Sequence, residues 1–90
     1  TKQRVGKVTN YFGKLGVAEV CMEEDSLSVG DELLIIGPTT GVYEDTVQEI
    51  RVDDQPVESV SKGVCCSVKT KELVRRGDQV YHWVLAPDLF

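Results

Sequence analysis

The sequence predicts an all-β domain folded as a small closed β-barrel of six or seven strands, and three observations carry that reading. Three glycine turns, Val29-Gly30-Asp31, Ser61-Lys62-Gly63 and Arg76-Gly77-Asp78, each lead into a β-branched or apolar run. Glycine reaches the positive φ that tight turns demand, and aspartate accepts hydrogen bonds from the turn's own backbone. Apolar and polar residues alternate along most of the runs, the period of a half-buried strand. No stretch sustains a 3.6-residue period; the one rival, Thr70 to Arg76 with Leu73 and Val74, has no cap and supports a single turn at most. Short strands at near-regular spacing make a sandwich or a barrel, and closure removes the edges that a small sheet must otherwise protect.

Each element has its own local reason. Arg4 to Phe12 is a strand with Val5 and Val8, joined by the loop Gly13-Lys14-Leu15-Gly16 to a second strand, Val17 to Met22. There Ala18, Val20 and Met22 alternate with Val17, Glu19 and Cys21, so the first set faces inward. Glu32 to Gly37 is apolar on both faces, bounded by Gly30 and Pro38, and too short for a helix. After the loop Pro38-Thr39-Thr40-Gly41, Val42 to Val52 carries Val47, Ile50 and Val52 in a spacing that slips by one, which predicts one strand bent by a β-bulge. Asp53-Asp54-Gln55-Pro56 breaks it. Val57 to Val60 is short, Val64 to Thr70 puts Val64, Cys66 and Val68 on one face, and Gln79 to Leu85 closes the set.

Composition narrows the function classes. The 90 residues form one domain, 1–90, which buries only about 60–65% of its unfolded surface and leaves little room for a deep catalytic cleft. No apolar stretch approaches the roughly 20 residues of a membrane span, and the basic, polar start lacks the apolar core of a signal peptide, so a cytoplasmic location is expected. Thr1 in place of Met fits a processed or a trimmed start equally. Cys21, Cys65 and Cys66 are an odd count, and adjacent Cys65 and Cys66 on a strand point to opposite faces, so reduced thiols are expected, with Cys66 in the core. Three scattered cysteines and the single His82 without a C-x-x-C pair do not spell a zinc site, and no cofactor is expected.

Charge is strongly segregated along the chain. Residues 1–14 carry +4, residues 15–61 carry −11 and residues 62–90 carry +2, for a net −5. That balance repels polyanions overall. If the first and last strands are neighbours, Arg4, Lys7, Lys14, Lys69, Lys71, Arg75 and Arg76 collect on one basic face with Tyr81 or Trp83 beside it, the composition of a single-strand platform; the alternative is ordinary solvated charge. Leu34, with Ile36, places apolar side chains on the outward side of its strand, either a partner-binding patch or a surface covered by a loop. The acidic runs Glu23-Glu24-Asp25, Glu44-Asp45 and Asp53-Asp54 read as loop charge rather than catalytic pairs, because adjacent strand residues face opposite ways. His82 has no recognisable nucleophile to serve, and Arg76-Gly77-Asp78 reads as a turn rather than an adhesion tripeptide.

The segment Ser28-Val29-Gly30-Asp31-Glu32-Leu33-Leu34-Ile35-Ile36-Gly37 resembles the third-strand region of the second, β-barrel domain of Tu-type translation elongation factors. Val47, Ile50 and Val52, then Pro56-Val57-Glu58, Ser61-Lys62-Gly63 and Arg76-Gly77-Asp78-Gln79-Val80 follow that domain's order of strands and turns, so the resemblance spans Arg4 to Val84. The opening Val5-Gly6-Lys7-Val8-Thr9-Asn10-Tyr11-Phe12 with Ile36-Gly37-Pro38-Thr39-Thr40-Gly41 is similar to small stand-alone elongation-factor-like proteins and to the C-terminal barrel of U32-family peptidase-like proteins. The phosphate loop G-x-x-x-x-G-K-[ST] is absent, so no nucleotide binding or GTPase activity is expected. The resemblance implies a non-catalytic binding module that docks on RNA (tRNA or rRNA) or on a protein, accessory to a U32-type enzyme or to translation. Its candidate contacts are Arg4, Lys7, Lys14, Arg75, Arg76 and Leu34. The alternatives are a homo-oligomerising structural barrel using Leu34 and Ile36, and an enzyme in which carboxylates converge on His82.

Overall fold

The computed structural model describes residues 1–84. Ten strands follow one another: β1 Lys2–Phe12, β2 Val17–Met22, β3 Leu27–Ser28, β4 Glu32–Gly37, β5 Gly41–Thr46, β6 Ile50–Val52, β7 Gln55–Val57, β8 Ser59–Val60, β9 Cys65–Lys69 and β10 Gln79–Trp83. Eight form one antiparallel ladder in the order β5-β4-β10-β1-β2-β9-β6-β7, and β3 pairs separately with β8. Among the described residues there is no helix, and Thr70 to Arg76 is irregular. The expected last strand ends at Trp83, and Leu85 lies outside the described residues.

The ladder is open, which corrects the expected closed barrel. Its terminal strands β5 and β7 do not pair with each other. Pro56 explains one edge: it stands opposite Arg51, one step beyond the pair that closes a two-residue turn, so its ring nitrogen faces away from β6. Proline has no N–H to offer another strand there. The gap is crossed instead by isolated backbone bonds, from Gly30 N to Val47 O at 2.8 Å, Val47 N to Asp31 O at 2.9 Å and Val29 N to Glu58 O at 2.8 Å.

Two strand assignments change for the same reason. The single bent strand expected from Val42 to Val52 is two strands, β5 and β6, which lie toward opposite ends of the ladder. The slip in apolar spacing marks the crossing at Val47 to Glu49 rather than a bulge within one pairing. The break expected over Asp53 to Pro56 shrinks to Asp53-Asp54, whose φ values of 50° and 64° make a left-handed two-residue turn between β6 and β7. Asparagine followed by glycine suits such a turn best, and two aspartates occupy it here at some conformational cost.

One core unites the strands. Val5, Val8, Ala18, Val20, Met22, Leu33, Ile35, Ile50, Cys66, Val68 and Val80 are all buried, and Val74 from the irregular β9–β10 connection plugs into the same cluster. Strict alternation would send Val5 and Val8 to opposite faces. The register shift between Arg4 and Gly6 makes Val5 the extra residue and brings both inward, and a second shift follows between Val8 and Asn10. At the first shift β1 and β2 come so close that a Cβ at Gly6 would collide with the Cys21 carbonyl.

The three glycine turns share one geometry. Asp31 N bonds Ser28 O, Val64 N bonds Ser61 O and Asp78 N bonds Arg75 O, each at 3.1 Å. Gly30, Gly63 and Gly77 hold φ of 96°, 90° and 92° at the third turn position, where a type II turn needs glycine. In two of the turns the following aspartate also reaches back: Asp31 Oδ2 accepts from Ser28 N and Asp78 Oδ2 from Arg75 N, each at 2.9 Å. Asp78 is 2% exposed, accepts from the Thr40 hydroxyl, and lies against the Cα of Gly37, where any Cβ would strike its carboxylate.

Cysteine pairing corrects another expectation. Cys21 and Cys65, directly opposite in the β2–β9 register, are joined by a disulfide, while Cys66 is the core residue expected. Spacing along the chain carries no trace of which outward residues a neighbouring strand will bring together.

Backbone chemistry sets the sign of two substitutions. Gly37→Ala forces a methyl into Asp78 and is expected to lower stability by about 1–3 kcal/mol, whereas Asp54→Gly relaxes a left-handed residue and raises it by up to about 1 kcal/mol. Urea denaturation of both variants checks this, and equal midpoints for the two would contradict it.

Candidate functional site

His82 is buried between two carboxylates. Its Nδ1 lies 3.2 Å from Asp31 Oδ2 and its Nε2 3.1 Å from Asp25 Oδ2. Ionised carboxylates only accept, and a neutral imidazole has one N–H, so both contacts are hydrogen bonds only when the ring carries both protons. The arrangement ties the end of β10 to the β2–β3 loop through Asp25 and to the β3–β4 turn through Asp31. Among the described residues, no side chain that could act as a nucleophile joins these contacts. Burial, with Glu19 adding to it, pushes the Cys66 thiol up to about 11, and Cys21 and Cys65 are consumed in their disulfide. Among the described residues no three His, Cys, Asp or Glu side chains converge as a metal site.

The basic face divides. β1 and β10 are neighbours, as the face required, with Lys2 opposite Trp83 and Lys7 opposite Gln79. Arg4, however, is engaged at one end of β1 by Gln79 Oε1 at 2.6 Å, Glu24 at 2.7 Å and Glu23 at 2.8 Å, and Lys7 Nζ is 3.7 Å from Glu23. Lys71 pairs with Asp45 at 3.6 Å, and Lys2 lies over the Tyr81 ring. Lys14 sits past the other end of β1, about 25 Å or more from Arg4 by strand rise. With Lys69, opposite Val17, it lies at the β1–β2 hairpin end, which Thr70 N stitches to Gly16 O at 2.9 Å, whereas Arg75 and Arg76 belong to the turn that bonds Val8 in the middle of β1. None of these four forms an ion pair among the described residues. Leu34 is no surface patch: it lies between Tyr81 and Glu44 and is 3% exposed, and Ile36 is half-buried.

A surface that single-strand reading does not predict lies on the outer side of β2, β9 and β6. Register aligns Glu19 with Ser67 and Ser67 with Arg51, and Val17 with Lys69, and these side chains floor an open groove of about 600 Å3. Phe12 and Leu15, 41% and 70% exposed, line it together with the Asp53-Asp54 turn. Arg51 turns its guanidinium to Glu49, at 3.2 and 3.3 Å, and Glu19 Oε1 accepts from the Thr9 hydroxyl at 2.7 Å. Asp53 and Asp54 make no ion pair among the described residues, so the groove keeps an acidic balance with Lys69 as its opposing charge. The only signal in the sequence was the exposed Phe12 and Leu15 flanking a tight loop; the cross-strand alignment that makes a concavity is a tertiary fact.

Several carboxylates are held below the ordinary range. Asp25 is lowered first by the Ser26 backbone N–H and then by His82; Asp45 by the Thr46 N–H, then by the Tyr43 hydroxyl and Lys71; Glu23 chiefly by Arg4. A lowered folded-state value means that their stabilisation is complete above the unfolded value, near pH 4, and is lost as pH falls from there through the folded-state value. The thermal midpoint is therefore expected to fall between about pH 5 and 2, less steeply in Asp25→Asn. A midpoint insensitive to pH in that window would contradict the assignment.

No family model matches the chain. It is 48% identical over 82 residues to a collagenase of Porphyromonas gingivalis, covering 91% of this chain and 23% of that protein. It is 42% identical over 80 residues to an uncharacterized protease of Methanocaldococcus jannaschii, covering 89% of this chain and 19% of that protein. The chain thus spans about a fifth of the length of the relatives it matches. Two solved structures of the C-terminal domain of a Geobacillus thermoleovorans protein described as a U32 peptidase superimpose with TM-scores of 0.81 and 0.82 at 19% and 18% identity. They cover 87% and 89% of this chain and 96% and 91% of theirs. The fold is that of this C-terminal domain.

Proposed function

We propose that the chain is a non-catalytic accessory domain of a U32-type peptidase-like protein, a docking module whose chemistry belongs to the remainder of such a protein. One observation carries the reading: a chain alike to the relatives over only a fifth of their length coincides almost end to end with a separately solved C-terminal domain. The locked His82, the suppressed Cys66 thiol and the absence of a nucleophile–base pair among the described residues favour docking over hydrolysis. The sequence likeness to elongation-factor second domains, which rests on the order of strands and turns, supports the same role. A cytoplasmic setting is part of this proposal, and the Cys21–Cys65 disulfide weighs against it.

A protein partner is favoured over RNA by the net charge of −5 and by the neutralisation of Arg4 and Lys7. RNA contact keeps a second place because Lys14, Lys69, Arg75 and Arg76 form no ion pair among the described residues and Phe12 and Leu73 are exposed.

The purified chain is expected to release no fragments from fluorescein-labelled gelatin or casein. Cleavage that disappears in His82→Asn would overturn the non-catalytic reading. Titration with tRNA over a salt series is expected to show no binding at physiological salt. Tight binding that falls steeply with salt and is lost in the double variant Arg75→Ala, Arg76→Ala would move the function to RNA.

A further inference from the structure

We propose that the outer groove over β2, β9 and β6 docks an extended polypeptide segment bearing a leucine or aromatic anchor flanked by lysine or arginine. The inference rests on the reading of the chain as an accessory docking module and names the surface and the partner chemistry.

Three properties of the groove converge on that occupant. Its apolar part is formed by Phe12, Leu15 and Val17, of which Phe12 and Leu15 are exposed. An aromatic or branched side chain set there would be shielded from water, the usual source of affinity in a small interface. Its polar part is acidic: Asp53 and Asp54 are unpaired among the described residues, Glu19 keeps its charge while accepting from Thr9, and Glu49 cancels Arg51. A phosphate backbone would meet this side with repulsion, whereas lysine or arginine would meet it with attraction, so charge selects a basic peptide over a nucleic acid. Its size, about 600 Å3, suits a few side chains rather than a folded domain.

The Asp53-Asp54 turn adds weight. Both residues sit at left-handed φ, where asparagine and glycine would be more comfortable, and both carboxylates border the groove. The chain therefore keeps charge at the groove where backbone preference alone would remove it. A contact of this size predicts weak, transient binding.

Fluorescence anisotropy with a fluorescein-labelled peptide of alternating lysine and leucine tests the proposal, with the glutamate–leucine counterpart and single-stranded poly(U) as controls. The lysine peptide is expected to bind, more weakly at high salt, and the two controls are not. Phe12→Ser combined with Leu15→Ser is expected to weaken binding about tenfold. Asp53→Asn combined with Asp54→Gly keeps the turn and is expected to weaken it severalfold at low salt while raising the thermal midpoint. That variant cannot lose binding through misfolding if its midpoint rises. Failure of the lysine peptide to bind, equal binding by either double variant, equal binding of the glutamate peptide, or binding of labelled poly(U) that Phe12→Ser with Leu15→Ser abolishes would each overturn the groove assignment. The gelatin assay separates the two levels: absence of both cleavage and peptide binding removes the groove and leaves the accessory reading standing, whereas cleavage that His82→Asn abolishes removes that reading itself.

Discussion

The fold depends on a reciprocal lock between β4 and β10. Each strand begins with a Gly-Asp turn, and each aspartate reaches the far end of the other strand. Asp31, before β4, meets His82 near the end of β10; Asp78, before β10, packs on Gly37 at the end of β4 and accepts from Thr40 just beyond it. Antiparallel pairing of Ile36 with Gln79 and Leu33 with His82 makes the two contacts near mirror copies about the centre of the pair. Each carboxylate also satisfies a backbone N–H three residues upstream, so turn geometry and strand register are set by the same atoms. In a 90-residue protein with a small core, such shared polar contacts hold what a larger hydrophobic interior would otherwise hold. Asp78 is the more demanding of the two, because it is almost wholly buried and any donor it abandons would be left without water.

Segregation of charge in the sequence becomes a segregation in space, but not the one that linear counting implies. The basic start of β1 lies against the acidic run Glu23-Glu24, which converts Arg4 and Lys7 from candidate contacts into partners of the β2–β3 loop. Pairs this exposed contribute little stability, yet they remove the charge from any polyanion's view. Of the cations without ion pairs among the described residues, Lys14 and Lys69 are left at the hairpin end, while the groove beside it is bordered by acids. The surface thus changes sign over a short distance, with Phe12 and Leu15 at the boundary. Such a border orients a partner more than it attracts one.

Much of the architecture was legible in the chain. The glycine turns were placed to the residue, because only glycine reaches φ near +90° and each turn is a local matter. The inward sets Ala18, Val20, Met22 and Leu33, Ile35 followed from alternation over strands that pair regularly. Legibility ended where pairing partners matter. Val47 looked like the bulge of one strand because a slip in parity is the same in sequence whether a strand bends or leaves its neighbour. Leu34 stayed open between a patch and a covered surface because alternation reports which side a residue faces and says nothing about what covers that side. The Cys21–Cys65 bond and the outer groove share one cause, register between strands 44 residues apart, which no local pattern encodes.

The open edge of the ladder bears on function as well as on fold. A closed barrel would present only loops and outward side chains to a partner, whereas an open one must also deal with unpaired backbone at β5 and β7. Pro56 silences β7, and β5 carries Glu44 and Asp45 along its length, both common devices against strand addition. With its edges guarded in this way, the molecule is poorly suited to extending its sheet onto another chain and better suited to contact through a concave face. The outer face of β2, β9 and β6 is such a surface. It lies well inside the ladder, where two neighbours on each strand hold the backbone rigid, so a partner's side chains meet a preformed floor. A rigid floor lowers the ordering cost of a weak contact, which is the condition under which a small interface can still discriminate among segments by charge and by a single apolar anchor.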